Sequence, residues 1–172
     1  MGSVNKKLAN CPMKITSELV IRKATTKDLE SIGILWQEFM DFHRERDPVF
    51  ARSADGHEHF KEFIAGHLEK ETSLVLVAEQ DGTVFGYCLA MLAKYPPVFE
   101  NRDYGTVYDL AVTQRCRRAG IGEKMYKAAE KWFSERGMHR IELRVVVSNE
   151  VATAFWRKMG FQTHVENLFK KI

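Results

Sequence analysis

The stretch that most narrows the fold of this chain is Val107-Tyr-Asp-Leu-Ala-Val-Thr-Gln-Arg-Cys-Arg-Arg-Ala-Gly-Ile-Gly122. An apolar, β-prone run ends in a turn carrying three arginines, and Gly120 and Gly122 then open a helix. Ile121, Met125, Ala128, Ala129 and Trp132 fall at i, i+4, i+7, i+8 and i+11, so the spacing predicts a helix over Gly120–Arg136 with one buried side. Gly137 stops it. A strand that feeds an amphipathic helix through a short turn is a unit of an α/β sheet. The turn is also an anion site by construction. The first N–H groups of a helix lack internal partners and lie at the positive end of its dipole. Glycines let a phosphate approach the backbone, and Arg115, Arg117 and Arg118 add positive charge. A pyrophosphate suits such a turn best. Two common phosphate loops do not fit: the Gly-Lys-Ser/Thr of a Walker loop is absent, and a dinucleotide fingerprint needs three spaced glycines near the first strand.

The rest of the chain supplies the other layers. Leu19–Lys23 reads as a first strand. Thr25 and Asp28 make a capping box before Leu29, Ile32, Leu35, Trp36 and Phe39 at helical spacing. Asp47–Asp55 is a breaker loop around Pro48, and Gly56–Lys70 a second helix burying Phe60, Phe63, Ile64 and Leu68. Leu74–Glu79 and Val84–Ala93 are apolar strands joined by Asp81-Gly82, a hairpin signal. Lys94–Tyr104 is a loop containing Pro96-Pro97, and Thr106–Thr113 is a strand. Arg140–Val147 is a further strand, Asn149–Met159 a short helix ended by Gly160, and Phe161 onward a last strand or strand pair. This order predicts one α/β domain on a mixed sheet.

Composition sets limits without choosing a function. At 172 residues the chain is one domain. Its net charge of +3 suits an anionic ligand and is too mild to point to nucleic acid. No apolar run approaches the roughly 18 residues that span a bilayer. Residues 1–17 read as a polar, poorly ordered lead-in, with 18–172 as the domain. Cys11, Cys88 and Cys116 form no paired motif, which points to a reducing, cytoplasmic setting.

Two motifs in register give the chain a family resemblance. Arg117-Arg-Ala-Gly-Ile-Gly122 resembles the Gln/Arg-x-x-Gly-x-Gly/Ala signature of the GNAT superfamily of acetyl-CoA-dependent N-acetyltransferases. Asn149-x-x-Ala152-x-x-Phe155-Trp156-x-x-x-Gly160-Phe161 is similar to its next motif, and Phe85-Gly86-Tyr87 to its third strand. The resemblance runs from about residue 19 to the C-terminus. It implies a mixed, mostly antiparallel sheet with splayed strands 4 and 5, flanked by about four helices. It implies that backbone groups from Arg117, Arg118, Ala119, Gly120, Ile121, Gly122, Glu123 and Lys124 hold the pyrophosphate of acetyl-CoA. Leu110, Ala111 and Val112 would meet the pantetheine arm, and Asn149 its far side. The acceptor would be a small-molecule or peptide amine, with no metal, nucleic acid or membrane partner. By family analogy alone, a homodimer through edge strands is expected.

The acid–base groups are the open part of this reading. The family often places a Glu on the strand before the loop. Alternation puts Thr106, Tyr108 and Leu110 on one face of that strand, none of them a carboxylate. Asp109 falls on the opposite face unless a bulge re-aims it. Tyr108 either orients a water or the substrate, or simply packs. Both are candidate catalytic residues. The family's usual Tyr acid is Trp156 here; an indole N–H cannot protonate a thiolate near neutral pH, and Trp156 lies on an apolar stripe. Glu100 and Asp103, with Tyr108, are candidate acceptor-binding residues, against the plainer reading of solvated loop charges. Glu38, Asp41, Glu45 and Asp47 share that ambiguity. His57 and His59 diverge on a helix, so they do not read as metal ligands. The competing function is a non-catalytic acetyl-CoA or acyl-CoA sensor on the same fold.

Overall fold

The computed structural model describes residues 19–170, so the lead-in expected over 1–17 lies outside the described residues. The elements are β1 (Val20–Lys23), α1 (Leu29–Arg44), α2 (Gly56–Leu68), β2 (Ser73–Gln80), β3 (Thr83–Lys94), β4 (Asp103–Val112), α3 (Ile121–Glu135), β5 (Ile141–Leu143) and α4 (Glu150–Lys158). The strands form one sheet in chain order, antiparallel except for the parallel β4–β5 pair. This is the mixed, mostly antiparallel sheet with four α-helices that the resemblance implied.

Each sheet face buries its own core. Ile32 and Leu35 of α1 and Phe60 and Ile64 of α2 close over Val75, Val77, Tyr87, Leu89 and Ala111. On the other face Ile121, Met125, Ala129, Trp132 and Phe133 of α3, with Trp156 of α4, cover Leu74, Leu76, Cys88, Ala90 and Val107. Ile121, Met125, Ala129 and Trp132 belong to the stripe read from the sequence; Ala128 is only partly buried at its margin, and Phe133 adds to it. Gly86 lets β3 and β4 approach closely: a Cβ there would lie 2.8 Å from the Ala111 carbonyl oxygen. The capping box before α1 forms as expected, with Asp28 accepting from the Thr25 N–H at 2.7 Å. Arg22 also donates to Asp28 at 2.8 Å, and this contact leads the causes that lower the Asp28 pKa to about 2.

Three sequence expectations fail here, and the first is Phe63, expected on the buried side of α2 and yet 37% exposed. The strand expected over Arg140–Val147 stops at Leu143, and Phe161–Lys170 has no regular structure. In both places the β-prone residues lack a neighbouring strand to bond with. Val147, Val165, Leu168 and Phe169 stay exposed. Strand propensity measures fit to a half-buried pleated surface, and without that surface it is not expressed.

Candidate functional site

The site is set by how little β5 covers β4. Pairing joins only Gly105–Val107 to Ile141–Leu143. Beyond Val107, β4 continues for five residues, Tyr108–Val112, past its last bond to β5. The two parallel strands therefore splay, and one edge of Tyr108–Val112 carries backbone groups outside the ladder.

A bulge sits where the splay begins. Leu89 pairs with Asp109, whereas Ala90 pairs with Val107, so Tyr108 is the extra residue. Its effect on side-chain direction is large. Val107, Leu110 and Val112 pack toward α3, and Asp109 and Ala111 turn toward α1 and α2. Tyr108 turns the same way, against Phe63 of α2 at 5.3 Å between ring centroids. The simple alternation that grouped Tyr108 with Leu110 is thus corrected: Leu110 leaves that face and Asp109 joins it.

Asp109 is the most perturbed carboxyl of the site. Its Oδ2 accepts the Tyr87 hydroxyl at 2.9 Å, and Tyr87 is fully buried. Burial pushes the Asp109 pKa up to about 7, against the opposing pull of the Tyr87 hydrogen bond. A carboxyl poised there exchanges a proton near neutral pH.

The loop after β4 is shaped for an anion. Arg118 and Gly120 both adopt left-handed conformations, with φ of 65° and 81°. Such alternation turns successive N–H groups inward to form a nest. Gly120 opens α3 and has no side chain to cap it, and Arg118, Ala119 and Gly120 are exposed. Gly122 is half-buried, facing Leu110 and Phe155 at 3.5 Å from an added Cβ. Arg117 bends back, its Nε donating to the Val112 carbonyl at 3.2 Å and its guanidinium lying 4.6 Å from the Phe42 ring. Glu123 pairs with Lys158 at 2.7 Å, tying α3 to α4.

Glu38 of α1 was read only as an ambiguous surface acid, and it proves to anchor this loop. Its carboxylate accepts from the Thr113 hydroxyl at 2.8 Å and from the Gln114 N–H. A partner 75 residues away leaves no local sequence signal. Asn149 is buried at 5% exposure. Its Oδ1 caps α4 through the Ala152 N–H at 3.1 Å, which directs its Nδ2 to His43 Nε2 at 3.4 Å. The His43 Nδ1–H donates to the Phe39 carbonyl at 2.8 Å. His43 too went unnoticed in the sequence.

The remaining candidates are scattered. Asp103 pairs with Lys94 at 3.1 Å, at the far end of β4 from the loop. Glu100 is exposed in the β3–β4 connection. Trp156 is buried edge-on against Tyr126 and Phe161, the packing role expected of it. Cys116 is buried, and that burial raises its thiol pKa although Arg115 opposes it. Among the described residues no group of three or more His, Cys, Asp or Glu could hold a metal ion, and no helix is long and apolar enough to cross a membrane.

Comparison with known proteins agrees with this geometry. The sequence model of the Acetyltransferase (GNAT) family matches residues 35–161, and the chain belongs to that family. It is 24% identical over 145 residues to the uncharacterized N-acetyltransferase YhfO of Bacillus subtilis (strain 168), covering 83% of this chain and 89% of that protein. The crystal structure of the F44R mutant of the BH1408 protein from Bacillus halodurans superposes with a TM-score of 0.80 at 24% identity, covering 89% of this chain and 99% of the other. The aminoglycoside N-acetyltransferase AAC(6')-Iy in complex with CoA gives a TM-score of 0.68 at 17% identity, over 90% of this chain and 94% of the other. These structural likenesses establish the fold.

Proposed function

We propose that this chain moves an acetyl group from acetyl-CoA to a primary amine, by direct attack in a ternary complex. The observation that carries the reading is the open β4 edge, Tyr108–Val112, leading through one short turn at Gln114–Cys116 to the nest at Arg117–Gly122. An edge that accepts an extended, amide-bearing arm ends where a pyrophosphate is best held. A Cβ built on Gly120 meets nothing within 4 Å, so the anion side of the loop is sterically open. Family membership supports the reading, as does the CoA complex of AAC(6')-Iy.

On this reading the N–H groups of Arg117–Lys124 hold the pyrophosphate, with charge from Arg117 and Arg118. The backbone of Leu110–Val112 pairs with the pantetheine arm. Bound there, the donor supplies an acetyl group already activated as a thioester. The chain's own task is to orient the amine and manage its protons. Asp109 takes the first proton from the ammonium group, which frees the nitrogen lone pair. As the N–C bond forms and the C–S bond breaks, the second nitrogen proton is released and ends on the departing sulfur. No residue acid is required for that step, which fits the packed role of Trp156.

Titration calorimetry with acetyl-CoA tests the donor site; absence of binding at millimolar ligand overturns the proposal. A thiol-release assay over a panel of amines tests transfer. Asp109→Asn is expected to lower kcat by about 10²–10⁴-fold and to abolish the pH-rate limb near 7. A variant that keeps both rate and limb removes Asp109 from the mechanism.

A further inference from the structure

The bulge that re-aims Asp109 also builds an aromatic platform beside it. Tyr108 is 56% exposed at the point where β4 loses its β5 neighbour, and Phe63 of α2 is 37% exposed next to it. Their rings meet at 5.3 Å with a tilt of 43°. His67 continues the surface, edge-on to Phe63 at 4.6 Å, its Nδ1 engaged with Ser73 Oγ at 2.7 Å. Tyr108 is the first residue of the free β4 edge, and Asp109 follows it on the same face. The platform therefore lies at the acceptor side of the site, one residue from the proton-accepting carboxyl.

The acidic residues that a polycation would need are largely engaged elsewhere. Glu38 holds Thr113 and Gln114. Asp41 pairs with Arg52 at 3.3 Å and Arg44 at 3.6 Å. Asp47 accepts from the Val49 N–H at 3.0 Å, and Asp103 pairs with Lys94. At Asp41 and Asp103 a polyamine or aminoglycoside would compete with the protein's own arginines and lysine. A single ammonium group on an apolar or aromatic body would not. Its body stacks on exposed rings, and its charge is attracted to their faces.

Resting on the transferase reading above, we infer that the acceptor is a small primary amine with one positive charge and an aromatic or apolar body, held across Tyr108 and Phe63. The discriminating experiment is thiol release by the full chain with acetyl-CoA and phenethylamine, spermidine, an aminoglycoside and a serine-initiated peptide in parallel. The expected result is a kcat/KM for phenethylamine about tenfold or more above each of the others, the scale of one desolvated cation–π contact. Tyr108→Ala is expected to raise the KM for that amine about tenfold while the KM for acetyl-CoA holds, and Tyr108→Phe to keep the wild-type KM. Equal or faster turnover of spermidine, the aminoglycoside or the peptide overturns the inference and leaves the transferase standing. A Tyr108→Ala enzyme with an unchanged amine KM overturns it as well. Turnover of none of the four overturns it together with the transferase reading, and calorimetry with acetyl-CoA then reports whether the donor site survives.

Discussion

The chain passes twice from a parallel strand into a helix, at β4–α3 and at β5–α4, and closes the two helix starts in opposite ways. At α3 the cap is Gly120 at φ 81°, the preceding turn is exposed, and Arg118 is held at φ 65°. At α4 the cap is Asn149, buried, with one side-chain atom on Ala152 and the other on His43. The first N–H groups of any helix need partners. A buried start must find them within the protein, and α4 does. An exposed start can leave them to water or to a ligand, and α3 is built that way. The α3 start is open in a way that suits an anion, whereas the side chain at the α4 start is bound within the protein. The resemblance assigned Asn149 to the pantetheine, yet its side chain already serves two protein partners, so a donor there would meet its surroundings or its backbone.

The largest effect is expected from making α3 resemble α4. Gly120→Asp gives α3 a carboxylate cap that fills the open amides and repels phosphate. Calorimetry should show acetyl-CoA binding weakened about a hundredfold or more, from the lost charged hydrogen bonds of about 1.5–3 kcal/mol and the added repulsion. Melting should change little, since a new cap offsets the left-handed strain. Unchanged affinity would show that α3 does not hold the phosphate.

The converse change removes the closure at α4. Asn149→Ala loses a cap worth about 0.5–2 kcal/mol and strips buried His43 of its partner, for about 2–3 kcal/mol in all by denaturant unfolding. Asn149→Asp keeps the cap acceptor and should recover part of that loss. Equal losses in the two variants would mean that the cap contributes nothing.

Between the two junctions lies Asp109, whose effect on stability is set by pH. Its folded pKa of about 7 lies above the ordinary 3.8. Its contribution is therefore complete below about 3.8 and is lost as pH rises through about 7. Asp109→Asn should flatten that part of the stability–pH curve, a slope worth on the order of 2–4 kcal/mol across the window. A variant with the wild-type slope would mean that Asp109 titrates normally.

The smallest effect belongs to Arg118→Gly. Relief of the left-handed strain should raise stability by about 0.5–1 kcal/mol, while loss of the charge weakens acetyl-CoA binding a few-fold and reduces its salt dependence. A destabilised variant would show that the Arg118 side chain holds the loop in place.

Much of this was legible in the residues. The α3 stripe, the Asp81-Gly82 hairpin, the capping box at Thr25 and the glycines of the loop act within a few positions of themselves, and each appears as read. The last strand did not appear, because Phe161–Lys170 has β-prone residues and no strand to pair with. The anchoring role of Glu38 and the whole of His43 escaped notice because each acts through a partner many tens of residues away.

The sequence by itself determined the loop after β4: a turn whose glycines and arginines suit an anion, opening a helix whose apolar stripe must face a sheet. Only the tertiary structure decided the face that Asp109 and Tyr108 share. Strand alternation is a local rule, but the bulge at Tyr108 arises from how β4 registers against β3, and that pairing turns Asp109 and Tyr108 onto one face. Burial by α1, α2 and Tyr87 then lifts a common aspartate to a pKa of about 7. Neither register nor burial belongs to any single residue, so Asp109, a candidate in the sequence only if a bulge re-aimed it, gained its face and its raised pKa when the strands were paired.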